Sequence, residues 1–214
     1  MTAPLINRSA LLPGDWIVRR CAPFYPSKMI RLVTAGKSLF DDPPTAWNHD
    51  AIICDDHGHP AIGDALMGRN GQLTTIYEWE MDCVRNGTKI MVLRPAGATP
   101  EDGLAAATWW LDHVHGHKYD TVSIAGIFFK RLLPFLPEID VNGHYYCSEG
   151  NGSAWKNGPR TPFHIYGIER GTPGASWRAW GLNRLVEVME AYTPEGMGYR
   201  IAQPARPAVA GDDF

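Results

Sequence analysis

The sequence predicts an α+β fold: a small, mostly antiparallel sheet with helices packed against it. Three observations carry that expectation. Asn48-His49-Asp50-Ala51-Ile52-Ile53-Cys54 reads as a strand, Asp55-Asp56-His57-Gly58 as a tight turn, and Pro60-Ala61-Ile62-Gly63-Asp64-Ala65 as the returning strand. Lys89-Ile90-Met91-Val92-Leu93-Arg94 is a further apolar strand, closed by Pro95. Thr99-Pro100-Glu101-Asp102 then opens a helix with a cap, a first-turn proline and two acids facing the dipole.

The other elements follow in order. Pro13-Gly14 is turn punctuation before a short strand, Asp15 to Arg20. Ser27 caps a helix through Lys28 to Ala35, with Met29, Ile30, Leu32 and Val33 as its apolar face. Asp41-Asp42-Pro43-Pro44 is a surface loop, and Leu73 to Trp79 is a further segment ending in a short turn. The helix opened at Thr99 runs to about His115, with Trp109, Trp110 and Leu111 packing inward. Tyr119-Asp120 leads into a second helix, Val122 to Leu133, stopped by Pro134; Pro137 to Gly143 is a linker. A helix continues from Cys147 to about Lys156, where Asn157-Gly158-Pro159 ends it. Trp177 to Tyr192 holds another helical pattern, with Leu182, Leu185, Val186 and Met189 at core spacing. Residues 1–202 are therefore expected to form a single domain, with its core over about 13–157 and a C-terminal helical extension over 160–202. The proline- and alanine-rich stretch 203–214 reads as a disordered tail. There is no internal repeat.

Composition sets limits on function. The 214 residues are 44% hydrophobic and 20% charged, an ordinary globular profile. A net charge of −3 leaves no basic footprint for nucleic acid. No run of 18 apolar residues is present, so no transmembrane helix is expected. Met1 to Leu12 lacks the features of a secretory signal. Cytoplasmic synthesis is the expectation, with phage-particle association or release by another route as ways out of the cell. Cys21, Cys54, Cys83 and Cys147 have no CxxC spacing and are expected to be free thiols, with no metal or cofactor.

The chemistry centres on Gly143-His144-Tyr145-Tyr146-Cys147-Ser148-Glu149-Gly150. A thiol at a helix N-terminus meets unpaired N–H groups and the positive end of the dipole, both of which favour a nucleophilic thiolate. A buried apolar cysteine is the bland alternative. The hairpin adds a base: with Asp56 and His57 as the loop, Asp55 faces Gly58 and His49 faces Asp64. A carboxylate across from an imidazole fixes its tautomer and stabilises its charged form. The bland alternatives are a hydrogen-bonded strand histidine and a turn-capping aspartate. Tyr145 and Tyr146 are candidates for an oxyanion pocket, although core packing is the commoner use of such aromatics. The Cys147 backbone N–H is the stronger oxyanion donor, and Glu149 complements the dipole. His113 and His117 share a helix-face spacing suited to a metal, but imidazoles at a helix end already meet the dipole there.

The order of these motifs resembles a known family. A Gly-Asp near the start and a helix precede Asn-His-Asp-Ala-Ile-Ile on a strand; a returning strand with a carboxylate before alanine follows, then a strand ending in arginine. A helix, Gly116-x-x-Tyr119-Asp120 and Tyr146-Cys147-Ser148-Glu149 complete the set. This resembles the circularly permuted papain-like cysteine hydrolases of the NlpC superfamily, particularly the YiiX/YebB-like branch, over roughly residues 13–157. The resemblance implies Cys147 as nucleophile, His49 as general base and Asp64 as the orienting carboxylate, where relatives often carry glutamate. It implies hydrolysis of an amide, most simply in peptidoglycan peptides. A lipid-directed amidase, thioesterase or acyltransferase of the same fold is the first alternative. A catalytically inert virion or tail module is the second.

Overall fold

A computed structural model describes residues 6, 8–20, 49–86, 89–122, 125–126, 144–163, 185–191 and 199–201. A 3-10 turn (Arg8–Ala10) precedes strand β1 (Trp16–Arg20), and the hairpin supplies β2 (His49–Asp56) and β3 (His59–Ala65). Next come β4 (Gly71–Thr75), α1 (Ile76–Asn86), β5 (Lys89–Pro95) and α2 (Pro100–His113). After them lie α3 (Cys147–Asn157), β6 (Leu185–Ala191) and β7 (Tyr199–Ile201). The strands form one seven-stranded sheet in the order β4-β3-β2-β1-β5-β6-β7, with every neighbouring pair antiparallel. The α+β class and the antiparallel sheet are as expected.

Runs such as Ala51-Ile52-Ile53-Cys54 do not alternate because the central strands bury both faces. On one face Trp16, Val18, Ile52, Cys54, Met91 and Leu93 pack with Ala106 and Trp110 of α2 and Ala154 and Trp155 of α3. On the other, Ile17, Ala51, Ile53, Ile62 and Val92 pack with Ile76 and Trp79 of α1 and with Ile6.

Helix α2 starts where its signals place it. The Thr99 hydroxyl accepts the Asp102 N–H at 3.2 Å, and the Asp102 carboxylate accepts the Thr99 N–H at 3.0 Å. The helix crosses the loop before β1 at two glycines. Gly14 has φ +85°, and a Cβ on Gly103 would lie 2.2 Å from the Pro13 carbonyl oxygen. Trp155 Nε1 donates to the Gly14 carbonyl at 2.9 Å, so α3 is tied to the same point.

Beside it, Asp15 accepts two bonds from Arg94, at 2.6 and 2.8 Å, with the carboxylate side chain 1% exposed. Burial raises the Asp15 pKa despite the opposing pull of Arg94. Arg94→Ala strands that charge, and a loss of about 3 kcal/mol at pH 7 is expected by denaturant unfolding. The loss should shrink towards pH 4, where the stranded carboxyl takes up a proton. A pH-independent loss would mean that packing, not charge, sets the effect.

Three expectations need correction. The hairpin loop is His57-Gly58 (φ 52° and 84°), with Asp56 paired to His59, not Asp56-His57. A two-residue turn with positive φ at both positions favours glycine in the second, and histidine tolerates the first. His49 therefore does not face Asp64 directly; the same register carried on places Asp64 opposite Ala51, diagonal to His49. Moving the turn by one residue changes each facing partner by two, so both side chains keep one face.

Second, the segment Leu73 to Trp79 ends in a helix rather than a short turn. It divides at Thr75, whose hydroxyl accepts the Glu78 N–H at 3.2 Å while the Glu78 carboxylate accepts the Thr75 N–H at 3.2 Å. That capping box starts α1. Third, Leu185–Ala191 is a strand and not part of a helix. The spacing of Leu185, Val186 and Met189 suits either state; pairing with β5 satisfies backbone groups that a helix would leave open along that edge. The sheet thus runs on past residue 157 into the stretch expected to be helical. The helix expected over Lys28 to Ala35, the loop at 41–44, the linker at 137–143 and the tail at 203–214 lie outside the described residues, as does most of the helix from Val122 to Leu133.

Candidate active site

Cys147 is the first residue of α3, after Tyr146 in extended conformation (φ −90°, ψ 166°). The Tyr146 side chain makes no cap bond; Glu149 accepts the Tyr146 N–H at 3.5 Å. Glu149 thus stands at the helix start, as its position in the first turn suggested. The helix is seated closely on α2, since a Cβ on Gly150 would lie 3.4 Å from the Trp110 indole nitrogen. Cys147 is 3% exposed.

His49 is the first residue of β2, beside Arg19 of β1, and is buried. Its Nε2 lies 2.5 Å from Asp64 Oδ1. The other Asp64 oxygen accepts the Trp79 indole N–H at 3.2 Å. The imidazole also hydrogen-bonds the Cys147 side chain. The structure therefore brings together Cys147, His49 and Asp64.

The charges in this line are coupled. Burial works against the imidazolium, but the negative charge and hydrogen bond of Asp64, and then those of Cys147, outweigh it; the His49 pKa lies well above 6.5. Burial also works against the Asp64 carboxylate, yet His49, Arg19 and the Trp79 N–H hold its pKa below 3.8. Both shifts favour a charged pair.

A fourth side chain belongs here that the sequence reading used only as a family marker. The Tyr119 hydroxyl hydrogen-bonds Cys147. Burial first, then negative charge at Cys147 and Asp64, raises its pKa well above 10, so it remains a donor. Tyr119 is placed by a parallel bridge to Tyr145, with the Asp120 N–H donating to the Tyr145 carbonyl at 3.2 Å. That bridge joins segments distant in sequence, so no local pattern exposes it.

Of the two tyrosines expected near an oxyanion, Tyr145 sets its ring edge-on to Trp109 at 6.0 Å, and Tyr146 is a core residue, 2% exposed. His113 stacks on Trp109 at 4.3 Å and engages the Trp109 carbonyl through Nδ1 at 2.9 Å, which uses it at the end of α2. Among the described residues, no three His, Cys, Asp or Glu side chains are grouped to hold a metal ion.

No family model matches the chain, and no curated protein matches it. Among solved structures it is similar to the metalloprotein YiiX from Escherichia coli O157:H7, with 16% identity and a TM-score of 0.50. The match covers 90% of this chain and 97% of YiiX. The chain shares the fold of YiiX. That likeness reaches beyond residues 13–157, the span over which the motifs ran. At this identity YiiX bears on the architecture alone. Among the described residues, no helix is long and apolar enough to cross a membrane.

Proposed function

We propose that this chain is a cysteine hydrolase of the permuted papain-like, NlpC-superfamily type. Cys147 is the nucleophile, His49 the acid and base, and Asp64 the carboxylate that orients the imidazole. The observation that carries this reading is the buried hydrogen-bonded line from Asp64 through His49 to the thiol at the start of α3.

The chemistry follows from the geometry. His49 takes the thiol proton, and the Cys147 sulfur attacks the carbonyl carbon of an amide. Negative charge builds on the carbonyl oxygen, where the Cys147 backbone N–H and the Tyr119 hydroxyl are donors suited to it. The C–N bond breaks as His49 gives its proton to the leaving nitrogen, leaving a thioester. Water, deprotonated by His49, attacks that thioester; the C–S bond breaks and the proton returns to the sulfur–imidazole pair. Asp64 holds the ring throughout without leaving its ionised state.

YiiX is described as a metalloprotein. Here the His49 imidazole is engaged by Asp64 through Nε2 and also bonds Cys147, and no metal-binding group of three is found among the described residues. The described residues do not fit a metal.

The substrate class proposed is a peptide amide of peptidoglycan. Purified protein incubated with muropeptides should release new amine termini, and Cys147→Ala should not. Long-chain activity on micellar esters with none on muropeptides would move the assignment to a lipid-directed enzyme. No product from peptidoglycan, lipid-amide or thioester panels, with particle copurification and an inert Cys147, would point to a structural module and end the hydrolase reading.

A further inference from the structure

We propose that Trp79, backed by Arg19, is a positioning residue that fixes the Asp64 carboxylate for His49; this rests on the catalytic reading of the Cys147–His49 couple. A carboxylate bonded through one oxygen turns easily about its terminal torsion, which is broad. Here both oxygens are held: Oδ1 lies 2.5 Å from His49 Nε2, and Oδ2 accepts the Trp79 indole N–H at 3.2 Å. Two bonds from different elements hold the carboxylate at a set angle to the imidazole.

The indole is itself well placed. Trp79 is the fourth residue of α1, directly after Glu78 of the capping box, and is 2% exposed. The Arg19 guanidinium carbon sits 5.0 Å from the indole ring centre, a cation–π contact. Arg19 is paired with His49 across β1 and β2, so one buried cation supports both the indole and the ionised carboxylate. The charged and titratable groups acting on the couple are Arg19 from β1, Asp64 from β3, Cys147 from α3, and Tyr119, which feels both Asp64 and Cys147. Glu80, next on α1, is turned instead to Arg8 at 3.0 Å and to the Ile6 N–H at 2.8 Å.

A tryptophan that only filled space would leave the chemistry unchanged when replaced by another ring. Trp79→Phe keeps a ring for Arg19 and removes the N–H together with part of the ring volume, so the Asp64→Asn background separates the two effects. His49 is followed by NMR titration in wild type, Trp79→Phe, Asp64→Asn and the double variant, with kcat and KM alongside. The expected result is a fall of about one unit in the His49 pKa and about tenfold in kcat, with KM little changed. In the Asp64→Asn background, Trp79→Phe should change neither. An unaltered His49 titration in Trp79→Phe, or the same drop in both backgrounds, would overturn the proposal. The titration reads Trp79 directly, whereas failure of the catalytic reading would appear separately as Cys147 reactivity unaltered by His49→Ala. Should Trp79→Phe not fold, Trp79→Met serves, since it also removes the N–H while filling the space: it should lower the His49 pKa in the same direction, and an unmoved titration there would count against the proposal.

Discussion

Cys147→Ala is expected to lower turnover by a factor on the order of 10⁶, with folding intact. The reason is structural: among the described residues, the sulfur is the one nucleophile bonded to both His49 and Tyr119. His49→Ala should cost nearly as much, because the sulfur then lacks a group to take and return its proton. The two losses should not add. Residues that act as one unit give a double variant hardly worse than either single one. The check is kcat/KM for wild type, both single variants and the double, with circular dichroism to show that each is folded. Multiplying losses would mean that Cys147 and His49 act independently and would contradict the hydrogen-bonded line.

The second large effect lies in stability. Asp64→Ala leaves His49 buried without its counter-charge, and removing one partner of such a pair costs about 3–5 kcal/mol. The pH dependence has a definite sign. The His49 pKa is raised above 6.5 on folding, so its contribution is complete below that value and fades as pH rises through the folded pKa. The Asp64 pKa is lowered below 3.8, so its contribution is present above that value and is lost as pH falls through the folded one. Wild type should therefore exceed Asp64→Ala in stability by most between about pH 4 and pH 6.5, with the gap narrowing in more alkaline buffer. Urea unfolding of both proteins at pH 5 and pH 9 measures it. A gap that stayed constant or widened towards pH 9 would contradict a charged native pair.

Much of this arrangement was legible in the residues. Turn signals over Asp55-Asp56-His57-Gly58, the closing Pro95 and the helix start at Thr99-Pro100-Glu101-Asp102 mark β2, β3, β5 and α2 within a residue or two. The His49–Asp64 proximity survived an incorrect loop because the error moved partners by an even number and kept the face. The start of α1 carries a signal too, the pattern Thr75-x-x-Glu78, which the reading of this stretch as a segment ending in a short turn leaves unused. Other parts had no local signal. Leu185–Ala191 becomes a strand because β5 offers it an edge. Tyr119 reaches Cys147 through a bridge to Tyr145, and Trp79 meets Asp64 across two elements. Such contacts arise from long-range packing, which residue spacing does not encode.

Alkylation of each cysteine by iodoacetamide, followed by mass spectrometry across pH in wild type and His49→Ala, tests the central claim most directly. Cys54 is an internal control, buried in the core with its thiol pushed up to about 12. A small uncharged reagent is needed, since Cys147 is 3% exposed. The expected result is rapid labelling of Cys147 alone below pH 7, lost in His49→Ala. If Cys147 labels no faster than Cys54, or labels equally in His49→Ala, the histidine does not activate the thiol and the hydrolase reading is contradicted.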